Sequence, residues 1–209
     1  MLKHLFSAAP AKPALAYPLK LNLGSGYRKM DGYLNADKYA DAQPDLVLDL
    51  EVLPWPFPDN CATHVNLSHV LEHVGRDSAT FLAMVQELWR VCAPGAQILI
   101  RVPHPRHDNF LGDPTHVRPI MPATLQAFDQ EINRDWIATG SSATPLGVML
   151  GVDFQVMSVE YIPDAQWKKK LDAGAISVEQ LFEAAGAQNN VLDELIFNWT
   201  AHKPPRAPG

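Results

Sequence analysis

Cysteine is scarce in this chain: Cys61 and Cys92 are the two present, at no spacing that a metal site uses. Two thiols so placed exclude a disulfide-built scaffold and suit a reducing compartment, so a cytoplasmic protein is expected. Long apolar runs are missing too. None approaches the roughly 18 residues that cross a bilayer, and no membrane partner is expected. Positive charge is in short supply, with 17 Lys and Arg against 23 Asp and Glu, a net charge of −6. A general nucleic-acid binder wants a basic face, so no nucleic-acid partner is expected. The lysine run at 168–170 is too short to change that and reads as a solvated helix face. Internal repeats are absent.

What is present is a globular composition, 47% hydrophobic and 19% charged in 209 residues, enough for one domain with a full core. Residues 1–18 read as a flexible lead. Pro10 and Pro13 break the apolar stretch that a signal peptide would need. Residues 19–202 read as a single domain, and 203–209, "KPPRAPG", as a disordered tail.

The strands expected along the domain are 20–23, 33–37, 45–49, 62–68 and 96–102. A helix lies between the last two of these. Asp77 or Ser78 caps it, Phe81, Val85, Leu88 and Cys92 form its apolar stripe, and Pro94-Gly95 stops it. Strand, helix, strand with apolar interiors is the pattern of a parallel sheet covered on both faces. Further on, a helix is expected over 122–130, a loop over 140–145 and a strand over 152–162. Ser177 with Gln180 forms a capping box for a helix ended by Gly186, and "VLDELIFNWTAHK" reads as a last strand. Asn198 sits in a glycosylation sequon that is expected to lie inside that strand.

The segment "LKLNLGSGYRKMDGYLNAD" places glycines at the end of the first strand and an acid at the end of the second. A nicotinamide loop would want glycine where Lys29 stands, and a Walker loop would want a lysine followed by serine or threonine; neither is there. The nine or so residues between these strands also fall short of the 10–12 of an ordinary crossover, so the first helix is expected to shrink to a turn. The remaining common occupant of this place is S-adenosylmethionine (SAM), which carries no phosphate. Its amino-acid end suits backbone near Gly24 and Gly26, and its ribose suits an ionised acceptor at Asp37.

Four motifs then carry a resemblance: "LNLGSG", "DLEVLPWPFPDN", "SHVLEH" and "ELWRVCAPG". In this order and spacing, across residues 19–130, the chain resembles the class I SAM-dependent methyltransferases, and most of all their small bacterial type 11 group. The resemblance implies an α/β fold with a Rossmann-like, doubly wound, seven-stranded sheet, mostly parallel with an antiparallel last strand. It implies SAM as cofactor, and a site in which Leu23, Gly24, Ser25 and Gly26 hold the methionine part. Asp37 then takes the ribose with Lys38 beside the adenine, Asp49 and the Leu50 backbone read the adenine, and Ser68 and His69 border the methyl. Thr63 departs from the family, which often has an acid there, and the short first connection leaves Tyr27 and Arg28 as substitutes for missing cover.

Six of the eight histidines fall between 64 and 116. The dense part, "PHPRHDNFLGDPTHVRP", supports three readings: a metal site, a catalytic or acceptor-binding loop, and a structural loop built on an Asp113-Pro114 turn. The same "DPTHVR" occurs at this place in the methyltransferase subgroup, which favours the second; no resident metal is expected. If the acceptor must lose a proton, the expected base is His116 with Asp113 orienting it, and His69 or His104 next. His64 reads as a strand-face residue and His73 as a capping or packing one. Trp55 and Phe57 either line the core or cover adenine. The expected function is methyl transfer to a small-molecule or saccharide acceptor. The alternatives are a non-catalytic SAM-binding subunit, or a metal-dependent hydrolase or nicotinamide enzyme on the same sheet.

Overall fold

The computed structural model describes residues 17–207. Its strands are β1 (Leu19–Leu23), β2 (Leu34–Asp37), β3 (Leu46–Val47), β4 (Ala62–Ser68), β5 (Cys92–Pro103), β6 (Phe154–Pro163) and β7 (Leu192–Ala201). They form one seven-stranded sheet in the order β3-β2-β1-β4-β5-β7-β6. Every pairing is parallel except those of β7, which runs antiparallel to both β5 and β6. The helices are α1 (Ser78–Val91), α2 (Asp108–Leu111), α3 (Pro122–Gln126), α4 (Gln130–Thr139), α5 (Leu146–Leu150), α6 (Ala165–Asp172) and α7 (Val178–Ala187). Among the described residues no helix is long and apolar enough to cross a membrane.

The core follows from the sequence pattern. Leu21, Leu23, Val65, Leu67, Ile98, Ile100 and Val102 are buried on the central strands, and Phe81, Met84, Val85 and Leu88 of α1 pack in the same cluster. Trp55 and Phe57 belong to this core rather than to any exposed cover, at 2% and 4% exposure.

No helix forms between β1 and β2. Backbone polar groups there still need partners, and a buried amide network supplies them. Asn22 Nδ2 donates to the Arg28 carbonyl at 3.0 Å and to Asn35 Oδ1 at 2.9 Å, and Met30 N–H donates to Asn35 Oδ1 at 2.8 Å. The Asn35 amide and backbone N–H both reach Asp45 Oδ2, at 2.8 and 2.9 Å. Hydrogen bonds from the Asn35 backbone and side chain hold the Asp45 carboxyl below its usual range. The two asparagines and Asp45 thus do the work of the missing helix.

Several expected elements shift. Helix α1 is capped by Asp77 and ends at Val91, before Pro94. Strand β5 begins at once, with a register shift between its pairs Ala62–Cys92 and His64–Gln97 that absorbs Pro94-Gly95. The helix expected over 122–130 is two helices, because Asp129 accepts from Glu131 N–H and Ile132 N–H and so starts α4 afresh. Asn198 does lie in β7, its amide donating to Ser158 Oγ.

The tail expected to be disordered at 203–209 is ordered through 207. Lys203 Nζ donates to the Arg90 and Cys92 carbonyls, and Arg206 bridges Asp129 at 2.6 Å and Asp153 at 2.7 Å. Two buried carboxylates draw the chain in; composition alone does not show that. Residues 1–16 and 208–209, which hold most of the expected lead and the last of the tail, lie outside the described residues.

Candidate functional site

A cavity of about 410 Å³ opens at the carboxyl ends of the strands, where open α/β sheets take ligands. The loop after β1 contributes Gly24 and Gly26, and the end of β2 contributes Asp37, Lys38 and Tyr39. Leu48, Asp49, Leu50 and Glu51 follow β3, and His69, Val70, His73 and Val74 follow β4, with Thr115 reaching in from the long loop after β5.

Local chemistry explains the glycine turn. Gly24 has φ +65°, and a Cβ there would lie 2.5 Å from Val70 Cγ2. Gly26, at φ +47°, meets nothing within 4 Å on that side and leaves the peptide bare towards the cavity. Its N–H donates to Asp37 Oδ2 at 2.7 Å, while Tyr39 N–H donates to Asp37 Oδ1 at 2.8 Å. An ionised carboxylate has about four acceptor positions, so each oxygen keeps one in reserve. A bare peptide facing an anchored acceptor, with no phosphate grip nearby, fits a phosphate-free nucleoside with an amino-acid end. The donor set is that expected for SAM.

The side of the cavity formed by Asp49–Glu51 depends on α1. Glu87 Oε1 accepts Trp55 N–H at 2.6 Å, and Trp55 Nε1 donates to the Leu50 carbonyl at 3.1 Å. Arg90 donates to both Glu87 oxygens, to the Phe57 carbonyl and to Asp59. Those Arg90 bonds keep the Glu87 carboxyl below its ordinary value. The Glu and Arg of "ELWRVCAPG" therefore splint "DLEVLPWPFPDN". Both motifs hold the segment Asp49–Glu51 against the cavity.

His69 sits one residue beyond β4 with φ +56°, a region that non-glycine residues occupy at a cost. Its N–H still donates to the Arg101 carbonyl at 2.8 Å, so the strain is held by the sheet. Its Nε2 lies 3.0 Å from Glu194 Oε1, and its Nδ1 lies 3.4 Å from Glu72 Oε1, long for a hydrogen bond. The Glu72 carboxylate, and then the charge of Glu194, raise the imidazole above its usual value against the opposing effect of burial. Arg101 holds Glu194 in place at 2.8 Å.

The expected residues divide. Gly24, Gly26, Asp37, Lys38, Asp49, Leu50 and His69 meet at the cavity; Leu23, Ser25 and Ser68 stand behind it rather than on its wall. His116 does not line the cavity. Its Nδ1 donates to the Phe110 carbonyl at 2.8 Å, its side chain is 7% exposed, and Asp113 is 3.8 Å away. The Asp113 carboxylate instead accepts from Thr115 N–H and Oγ1, which hold it below its usual range. The expectation of His116 as base with Asp113 orienting it is thereby revised. His104 and His107 are structural: His104 Nδ1 accepts Arg106 N–H, His107 Nδ1 accepts Asn109 N–H to cap α2, and burial lowers His104. Tyr39, Glu51 and Thr115 escaped the sequence reading, and His73, read as a capping or packing residue, lines the cavity instead. Glu194 escaped it too, since it lies far along the chain and reaches His69 only through the β5–β7 pairing.

No protein-family model matches this chain, and no curated protein matches it. Solved structures do. A SAM-dependent methyltransferase from Archaeoglobus fulgidus superposes at TM-score 0.57 with 19% identity, over 88% of this chain and 86% of its own. The 4+2 cyclase SpnF superposes at TM-score 0.50 with 13% identity, over 91% and 78%. This chain has the class I methyltransferase fold, as its motifs implied. One expectation is corrected. The matches include a 16S rRNA (adenine(1408)-N(1))-methyltransferase from Catenulisporales acidiphilia, at TM-score 0.49 and 15% identity, over 90% and 87%. The expectation of no nucleic-acid partner, which rested on net charge, is withdrawn against that finding.

Proposed function

We propose that this protein is an enzyme that transfers a methyl group from SAM to an oxygen or nitrogen of a small-molecule or saccharide acceptor. One observation carries the reading: the bare Gly24–Gly26 turn, the anchored Asp37 carboxylate and the paired His69 ring converge on one cavity. Bound SAM supplies a methyl group already activated on a sulfonium. The chain's residues then bind, orient and handle a proton. Backbone at Gly24, Ser25 and Gly26, backed by Leu23, receives the amino-acid end. Asp37 accepts from the ribose hydroxyls beside Lys38, and Asp49 with the Leu50 amide receives the adenine. Ser68 supports the turn that carries His69.

His69 replaces His116 as the base. Glu194 holds Nε2, and Nδ1 takes the proton from the acceptor. The imidazolium that results lies between two carboxylates, which stabilise it. Alignment supplies most of the rate, roughly 7–11 kcal/mol in well-oriented systems. An acid-flanked wall suits hydroxyl- or amine-bearing acceptors, which supports the small-molecule or saccharide class.

Calorimetric titration with SAM, S-adenosylhomocysteine and NAD tests the reading. The first two should bind, and Asp37→Ala should weaken both by about tenfold or more. Binding of NAD instead, or of none, would reject it. A second reading, in which this chain holds SAM without moving its methyl, has an observation behind it: a 4+2 cyclase shares the fold. Appearance of S-adenosylhomocysteine during turnover with candidate acceptors separates the two.

A further inference from the structure

Glu72 is 0% exposed, and neither of its carboxylate oxygens accepts a hydrogen bond from any described group; His69 Nδ1 stands 3.4 Å from Oε1, too long to satisfy it. A buried carboxylate without a donor is costly, and natural structures resolve that cost with a proton, a cation or a metal. Next to it, His73 and His116 each present a ring nitrogen. One donor atom from each of Glu72, His73 and His116 lies within 4.8 Å of the other two.

The two rings are already set for coordination. His116 Nδ1 donates to the Phe110 carbonyl at 2.8 Å, which leaves the Nε2 lone pair free. Thr115 Oγ1 gives its proton to Asp113 at 2.6 Å, so it accepts from His73 Nδ1 at 3.0 Å, and His73 Nε2 is free as well. Histidine ligands in metal sites are held this way, the second nitrogen donating to a carbonyl or to a carboxylate-backed oxygen. The rings touch at a centroid distance of 4.6 Å. The backbone fastens the two halves together: Val117 N–H donates to the Glu72 carbonyl at 2.8 Å, and Arg118 Nη2 to the Gly75 carbonyl at 2.6 Å.

We infer that Glu72, His73 and His116 form a binding site for a divalent first-row transition ion, of which zinc is the natural candidate. Two imidazoles and one carboxylate are a ligand set for zinc and for non-haem iron, with ligand distances of about 2.0–2.2 Å and at least one position left open. Of these ligands only His116 comes from the dense histidine loop for which a metal site was one reading. Because His73 and Thr115 line the cavity, the ion stands at its wall, where a Lewis acid acidifies an oxygen-bearing acceptor. That last role rests on the methyl-transfer reading; the binding does not.

The test uses the full chain stripped with a chelator and titrated with zinc by calorimetry and with cobalt by visible absorption, SAM being absent. One equivalent should bind, with the ligand-field bands of a low-coordinate cobalt. His73→Ala, His116→Ala and Glu72→Gln should each weaken binding by about tenfold or more, while Thr115→Val, which spares every ligand, should weaken it less. His64→Asn, outside the cluster, should leave it unchanged. Failure of the wild-type chain to bind either ion would overturn the site, and so would binding that survives both histidine substitutions. If a ligand variant does not fold, the Thr115→Val titration and the wild-type spectrum decide.

Discussion

Gly24 and His69, both at the cavity, occupy left-handed backbone for opposite reasons. Gly24 is there because nothing larger fits beside Val70. Gly24→Ala should cost about 1–3 kcal/mol from the left-handed conformation and the clash combined, and Val70→Ala should return part of that in a double-mutant cycle followed by urea denaturation. His69 is there at a cost, at φ +56°, with its ring held by Glu194. His69→Asn keeps a residue that tolerates this conformation and removes the imidazole. Stability should change little, while turnover should fall on the order of 10²–10⁴-fold with SAM affinity nearly unchanged. Turnover at the wild-type level would remove His69 from the mechanism.

At the scale of elements, α1 is more than a cover for the sheet. Its Glu87–Arg90 pair reaches out of the helix to fasten the proline-rich loop after β3. Arg90→Leu should destabilise the protein by about 2–3 kcal/mol, less than for a sealed pair because the Arg90 side chain is 29% exposed. It should also loosen the Asp49–Glu51 wall of the cavity, seen as weaker SAM binding by calorimetry. This dependence was half legible beforehand. The motifs were visible as neighbours in a family pattern, but a contact between residues 55 and 87 has no local signal. The β1–β2 connection shows the same division. Its shortness is plain in the sequence, whereas the choice of Asn22, Asn35 and Asp45 as its fastening follows from which side chains the strand register turns inward.

For the whole molecule, Arg206 closes the far end of the chain onto α4 and the start of β6. Its partner Asp153 is fully buried; burial pushes its carboxyl up, but the Arg206 side-chain and backbone hydrogen bonds prevail and hold it below the usual range. Removing the guanidinium leaves Asp153 and Asp129 buried and unpaired. Arg206→Ala should therefore cost about 3–5 kcal/mol at neutral pH. A carboxyl held low in the folded state contributes stability above its unfolded value, and that contribution fades as pH falls through the folded value. The gap between wild type and variant should thus be widest near pH 7 and shrink below about pH 4. Thermal unfolding across that range checks it; a gap independent of pH would rule out the ion pair as its source.

The sequence by itself determined the sheet and its glycine turn, because strand periodicity, capping residues and a backbone conformation open mainly to glycine are local properties of a chain. It also located Asp37, Asp49 and His69, since each stands at the end of a strand whose position the pattern reveals. Only the tertiary structure decided which histidines face the cavity, which are caps, and which stand beside a buried carboxylate. It alone joined Glu194 to His69 and Arg206 to Asp153, because those partners meet through antiparallel pairing and chain closure across distances at which composition and spacing carry no information.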